Sequence, residues 1–226
     1  MLTNGHTLRQ ILLSAYELKM GDGGYVFFTV ELFKHENSFG NFDWLIIGDS
    51  RNEEMKRMYE SLFLITVHVP ITPNYEQFAE AVIHKSRNEF NTSFIIRDVN
   101  VILAGFYDSI MLYGQAVTET ILDGKDPSNG KDVTSRIWNK TFSSFLSGDI
   151  FINANGDKET DYVLKDFNPD SLEMNSIMIF SGKDDRIIWT NSSSIHWPRG
   201  WQPSSDITVC HDSISDFHCS KKGKTI

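Results

Sequence analysis

The residues that could do chemistry are few and scattered. Two cysteines, Cys210 and Cys219, lie nine positions apart near the C-terminus, each beside a histidine, His211 and His218. Three arrangements suit them. A disulfide would close a short loop and contribute roughly 2–3 kcal/mol by the chain-entropy model. Two free thiols are the second, and a zinc set of two thiolates and two imidazoles is the third. The spacing is poor for zinc, whose paired ligands usually stand closer together. His6, His35, His68, His84 and His196 have no local partner at metal-ligand spacing. Asp157, Glu159 and Asp161 form one carboxylate cluster and Asp184-Asp185 another. Both fall in turn-forming sequence, where a solvated turn explains them. Gly223-Lys-Thr225 lacks the upstream glycine and strand of a phosphate loop. Asn153–Asp157 resembles a calcium loop until Gly156 is placed at its sixth position. Phe151 and Tyr162 then occupy the first and twelfth positions, where acids are needed. No metalloprotease or nucleophile-elbow motif is present. Nothing here defines a catalytic, metal or cofactor site.

The elements that would position such residues read as α/β. Leu8, Ile11, Leu12, Ala15 and Leu18 repeat at helical spacing behind a capping box at Thr7–Gln10. Tyr25–Phe33 is a nearly continuous apolar run, which predicts a strand covered on both faces in a parallel sheet. A second capping box, Ser50–Glu53, opens a short helix, and Phe63–Val69 is the next strand. Thr72-Pro73 caps an amphipathic helix, and Phe106, Ile110, Tyr113, Val117 and Ile121 mark the buried face of the longest one. Helix and strand alternate, the signature of an α/β sheet. A short helix over 133–141 follows. Asn155-Gly156 signals a hairpin between the preceding apolar run and Tyr162–Leu164, and Gly182–Asp185 signals another between Ile177–Phe180 and Arg186–Trp189. The region from Ser192 onward reads as a tail.

Composition bounds the function. The chain has 226 residues, with 40% hydrophobic and 23% charged residues, which is ordinary globular composition. Its formal net charge of −9 argues against a nucleic-acid partner, because phosphate binding calls for clustered Lys and Arg. No apolar run is long enough to cross a bilayer, and Met1–Leu13 lacks the pattern of a signal peptide. Asn91, Asn139 and Asn191 begin glycosylation sequons, at a frequency that composition alone produces.

Six ordered blocks carry a family resemblance. They are Tyr25–Phe33, Phe106–Thr120, Thr134–Phe142 (with Trp138-Asn139), Ile152–Tyr162, His196–Pro203 and the Cys210/Cys219 pair. Together they resemble the extracellular ligand-binding region of receptor guanylyl cyclases, the natriuretic-peptide-receptor group and its nematode relatives. The resemblance implies a type I periplasmic-binding-protein-like α/β fold, here a partial bilobed one with terminal β-hairpins. It implies a ligand-binding region over 1–191 and a juxtamembrane-like tail over 192–226. The tail cysteines would match the family's paired juxtamembrane cysteines, a disulfide, and Asn139 its glycosylation site. Much of the first lobe is expected before Met1, and a membrane helix, kinase-like domain and cyclase after Ile226.

The implied function is binding of a peptide or small-molecule signal and coupling of it to cyclic GMP production by domains absent from this chain. The region would lie on the extracellular side of the plasma membrane, in a receptor that is a homodimer, with no cofactor and no catalytic residue of its own. A soluble decoy or dimerisation partner of such receptors is the alternative. Asp108 and the end of the Tyr25–Phe33 strand are the candidates to line the cleft between lobes. The remainder of the matched blocks reads as structural, with Trp138 a core anchor for its short helix. The missing part of the first lobe predicts an exposed sheet edge and exposed apolar helix faces.

Overall fold

A computed structural model describes residues 2–69, 72–93, 99, 101–190 and 195–200. The first helix, α1 (Gly5–Glu17), starts earlier than the Thr7 box predicts. Asn4 is its cap, with the Asn4 side-chain oxygen accepting from the Thr7 amide at 2.8 Å. The predicted box at Ser50 is likewise displaced. Helix α3 (Asn52–Tyr59) follows Arg51, whose amide donates to Asp49 Oδ1 at 2.8 Å. The helical spacing itself holds. Leu8, Leu12 and Ala15 of α1 meet Met55, Met58 and Tyr59 of α3 in the main core, closed by Leu62, Phe167 and Phe42.

These helices flank a five-stranded sheet of order β1-β2-β6-β7-β8. Strands β1 (Phe27–Val30) and β2 (Leu62–Val67) pair in parallel, as the apolar run predicts. Helix α2 (Glu36–Phe39) and α3 lie on the connection between them. The run is not covered on both faces, however. β1 is the edge strand and Phe28, stacked on Phe63 at 5.4 Å, stays about half exposed. The other strands, β6 (Tyr162–Asn168), β7 (Glu173–Ser181) and β8 (Arg186–Trp189), join antiparallel. β7 and β8 form the hairpin predicted around Gly182–Asp185.

Thr72 and Pro73 begin α4 (Pro73–Phe90) as expected, with the Thr72 hydroxyl accepting from the Tyr75 amide. Helix α5 (Val101–Leu122) is the longest. The helix predicted over 133–141 is only α6 (Gly130–Thr134); Lys140 already belongs to β3 (Lys140–Ser144). β3, β4 (Gly148–Ile152) and β5 (Lys158–Glu159) make a second, antiparallel sheet. The Asn155-Gly156 turn joins β4 to β5, not to Tyr162, which has crossed to the large sheet beside Val67. Gly156 has φ +89°, and a Cβ there would sit 2.9 Å from Trp138 Nε1. Trp138 therefore covers a turn rather than anchoring a core, and it remains 47% exposed.

The predicted buried face of α5 is reversed. Phe106 and Ile110 are 66% and 71% exposed, and Tyr113 and Ile121 are exposed with them. The buried stripe is Ala104, Asp108, Ala116 and Thr120, with Leu112 packing on Phe142, Ile150 and Ile152 of the small sheet. The buried positions recur at four-residue spacing and carry mostly small or polar side chains, and the larger stripe is left outward. No helix among the described residues is long and apolar enough to cross a membrane.

Candidate functional site

Two adjoining cavities open where the parallel strands end. They share Phe33, Val67, His68, Val69 and Tyr75 as a common wall. Ligands in α/β folds favour this location, outside the carboxyl ends of parallel strands. The smaller cavity, about 490 Å³, lies between this wall and the small sheet, with Ser147, Asp149, Phe151 and Glu159 on its far side. The larger, about 860 Å³, lies over one face of the large sheet and is roofed by Phe42–Leu45. Both volumes suit a small organic ligand or a peptide side chain.

The roof is held from below. Arg9, buried on α1, donates from Nε to Asp49 Oδ2 at 2.9 Å, from Nη1 to the Trp44 carbonyl at 2.9 Å and from Nη2 to Asn52 Oδ1 at 3.0 Å. The backbone amide of Arg51 and the guanidinium of Arg9 hold the Asp49 carboxyl below its ordinary range. Tyr59 donates its hydroxyl to the Phe42 carbonyl, and Trp44 Nε1 donates to the Leu172 carbonyl at 3.2 Å. The roof thus joins α1, α3 and the β6–β7 turn. The far wall of the smaller cavity is tied to the start of α4. The Thr72 hydroxyl donates to the Leu146 carbonyl at 3.3 Å, and Asn74 Nδ2 donates to the Phe145 carbonyl at 3.1 Å. Lys183 crosses between the sheets, donating to Thr141 Oγ1 at 3.1 Å and lying 5.3 Å from the Phe151 ring centre.

Asp108 sits behind this wall. It is 6% exposed, and both carboxylate oxygens accept hydroxyl hydrogen bonds, one from Ser144 and one from Ser147. Ser144 Oγ in turn accepts from the Leu146 and Ser147 amides at 3.0 Å each. Asp108 so clamps the β3–β4 turn onto α5, and Ser147 carries that clamp to the cavity lining. The strand-end candidate behaves differently, because Phe33 lines both cavities directly.

Two charged residues inside the larger cavity lie in the midst of apolar strand sequence. Glu31 follows β1 and is 8% exposed. Burial pushes its carboxyl upward, against the pull of Lys34 and Lys165. Lys165 of β6 is pushed downward by burial. Lys34 is already paired with Asp43 at 3.3 Å, near the exposed rim. Glu31 and Lys165 themselves make no side-chain hydrogen bond or ion pair among the described residues. A charge interrupting an apolar strand run was the sequence signal for both.

The carboxylate clusters of the sequence have local partners. Glu159 accepts from Asn153 Nδ2 at 2.7 Å, Asp161 from the Gly182 amide at 2.9 Å, and Asp184 pairs with Arg186 at 3.3 Å. Asn91 and Asn139 are exposed, both with positive φ. Asn191, Cys210 and Cys219 lie outside the described residues.

Sequence comparisons agree with one another on family. The model of the receptor family ligand binding region matches residues 1–170. The chain is 31% identical over 211 residues to the receptor-type guanylate cyclase gcy-28 of Caenorhabditis elegans, covering 90% of this chain and 16% of that protein. It is 34% identical over 162 residues to the mouse (Mus musculus) atrial natriuretic peptide receptor 3, covering 72% of this chain and 29% of that protein. Against mouse atrial natriuretic peptide receptor 2 it is 28% identical over 224 residues, 95% of this chain and 21% of that protein. The chain thus spans less than a third of the length of each of these relatives.

Proposed function

The chain belongs to the receptor family ligand-binding region, and on that premise we propose that it binds an extracellular signal for a receptor guanylyl cyclase in the paired cavities at the ends of β1 and β2. The observation that carries this reading is the shared wall of Phe33, Val67, His68, Val69 and Tyr75. The smaller cavity lies between this wall and the small sheet and α5, so a ligand that reaches into it touches both units and favours one spacing between them. A ligand shifts an equilibrium only by such differential contact. Cyclic GMP production would belong to other parts of the receptor, and this region would supply binding alone. The type I bilobed architecture, attachment to the plasma membrane, glycans at Asn91, Asn139 and Asn191, and a tail over 192–226 closed by Cys210–Cys219 complete the proposal. Asp108 acts in it as a positioning residue through Ser147.

The exposed apolar stripe on α5 favours a second reading, in which the chain is a dimerisation partner of such receptors. Ligand-dependent cyclic GMP in cells expressing the receptor that carries this region, with and without Val67→Trp, separates the two. The binding reading predicts that filling the shared wall abolishes or strongly right-shifts the response at unchanged surface expression. An unchanged dose response would overturn it.

A further inference from the structure

The larger cavity places a buried acid, Glu31, and a half-buried base, Lys165, on its wall, close enough to attract each other. Glu31 and Lys165 both line it, and neither has a side-chain hydrogen bond or ion pair among the described residues. The neighbouring charges Lys34 and Asp43 neutralise each other at the rim. Strand register puts Glu31 and Lys165 on one face. Thr29 is opposite Leu64, and Leu64 is opposite Lys165; Glu31, two residues beyond Thr29, points to the same side. Around them the lining is apolar and aromatic, with Phe33, Phe42, Trp44 and Met174. Glu31 is buried and Lys165 half-buried, and a ligand that brings the complementary charges gives both the direct partner they lack among the described residues.

We propose that this cavity binds a small zwitterion with an apolar body, its ammonium against Glu31, its anionic group against Lys165 and its apolar part against the aromatic roof. The inference rests on the reading that the paired cavities are the ligand site, and it specifies the chemical class of the ligand part that enters the larger one. A positive group alone would leave Lys165 unanswered, and a negative group alone would leave Glu31 so.

Three compounds with one aromatic body test it: phenylalanine, phenethylamine and 3-phenylpropionate. They carry both charges, the ammonium alone and the carboxylate alone. Binding to the full chain is followed by saturation-transfer NMR titration, with circular dichroism confirming that each variant is folded. Phenylalanine is expected to bind roughly tenfold or more tightly than either singly charged compound, the scale of a buried charge-assisted hydrogen bond. Glu31→Gln should weaken phenylalanine and phenethylamine while sparing 3-phenylpropionate. Lys165→Gln should weaken phenylalanine and 3-phenylpropionate while sparing phenethylamine. Equal binding of all three compounds, or no binding of phenylalanine at millimolar concentration, would overturn the inference. Two cavity-filling variants separate the layers of the argument. Thr66→Trp fills only the larger cavity, and Val67→Trp the shared wall. Phenylalanine binding that survives Thr66→Trp but not Val67→Trp overturns the zwitterion site and spares the cleft reading. Binding that survives both overturns both.

Discussion

Replacing Asp108 distinguishes a clamp behind the cavity wall from a residue that touches ligand. Both its carboxylate oxygens accept hydroxyl hydrogen bonds, and the side chain is buried. Hydrogen bonds to a charged group contribute about 1.5–3 kcal/mol each. Asp108→Ala removes two and gains about 0.6 kcal/mol of helix propensity on α5. The net loss is about 2.5–5 kcal/mol, enough to lower the melting temperature by several degrees in a chain of this size. Asp108→Asn keeps one carbonyl acceptor and loses the charge, for about 1–2 kcal/mol. Urea titration followed by circular dichroism reads both values. The ordering Ala worse than Asn, with ligand affinity in Asn reduced only modestly, supports the clamp. A loss below about 0.5 kcal/mol for Asp108→Ala, within the range of ordinary surface substitutions, would refute it.

The other predictions test separate parts of the structure. Glu31 has its folded-state carboxyl raised above the ordinary value of 4.5, so its contribution to stability is full below that value and is lost as pH rises through the raised one. Without ligand, Glu31→Gln should therefore gain on the wild type in melting temperature between about pH 4 and pH 7; a gap that does not change with pH contradicts this. The outward stripe on α5 should bind a hydrophobic dye such as anilinonaphthalene sulfonate. Phe106→Ser with Ile110→Ser should remove most of that signal with about 0.5 kcal/mol or less change in stability per site, and a wild-type chain that binds no dye would show the stripe to be covered. Gly156→Ala meets both the +89° φ and the Trp138 ring, and should lower stability by about 1–3 kcal/mol, with part of the strain relieved by adding Trp138→Ala. If Cys210 and Cys219 are bridged, alkylation followed by mass spectrometry will label them only after reduction; equal labelling with and without reductant excludes the bridge.

Local signals in the chain were legible where one element determines its own structure. Thr72-Pro73 capped α4, the 182–185 turn made its hairpin, and the Leu8, Leu12, Ala15 stripe found its core. Displaced caps at Asn4 and Arg51 show how several polar residues near a helix start compete for the same amides. The error on α5 has a different origin. The helix carries a stripe of large apolar residues and a stripe of small ones, and periodicity ranks the large stripe first. Which stripe is buried depends on the partner: Leu112 packs on the small sheet, and Ala104 and Ala116 are buried on the same side. The site was least legible. Phe33 could be named from its strand end, but Glu31 and Lys165 face one cavity only because β6, more than 130 residues after Glu31, inserts beside β2. No spacing rule connects them, although each stands out as a charge within an apolar strand.

Hydrogen–deuterium exchange on the receptor's ligand-binding region, with and without an activating ligand, tests the central claim most directly. Ligand in the paired cavities predicts slowed exchange at 66–69, where β2 ends, and at 147–151 and 158–161, where the small sheet faces it. Slowed exchange confined to other segments, with these three unchanged at saturating ligand, would contradict the account.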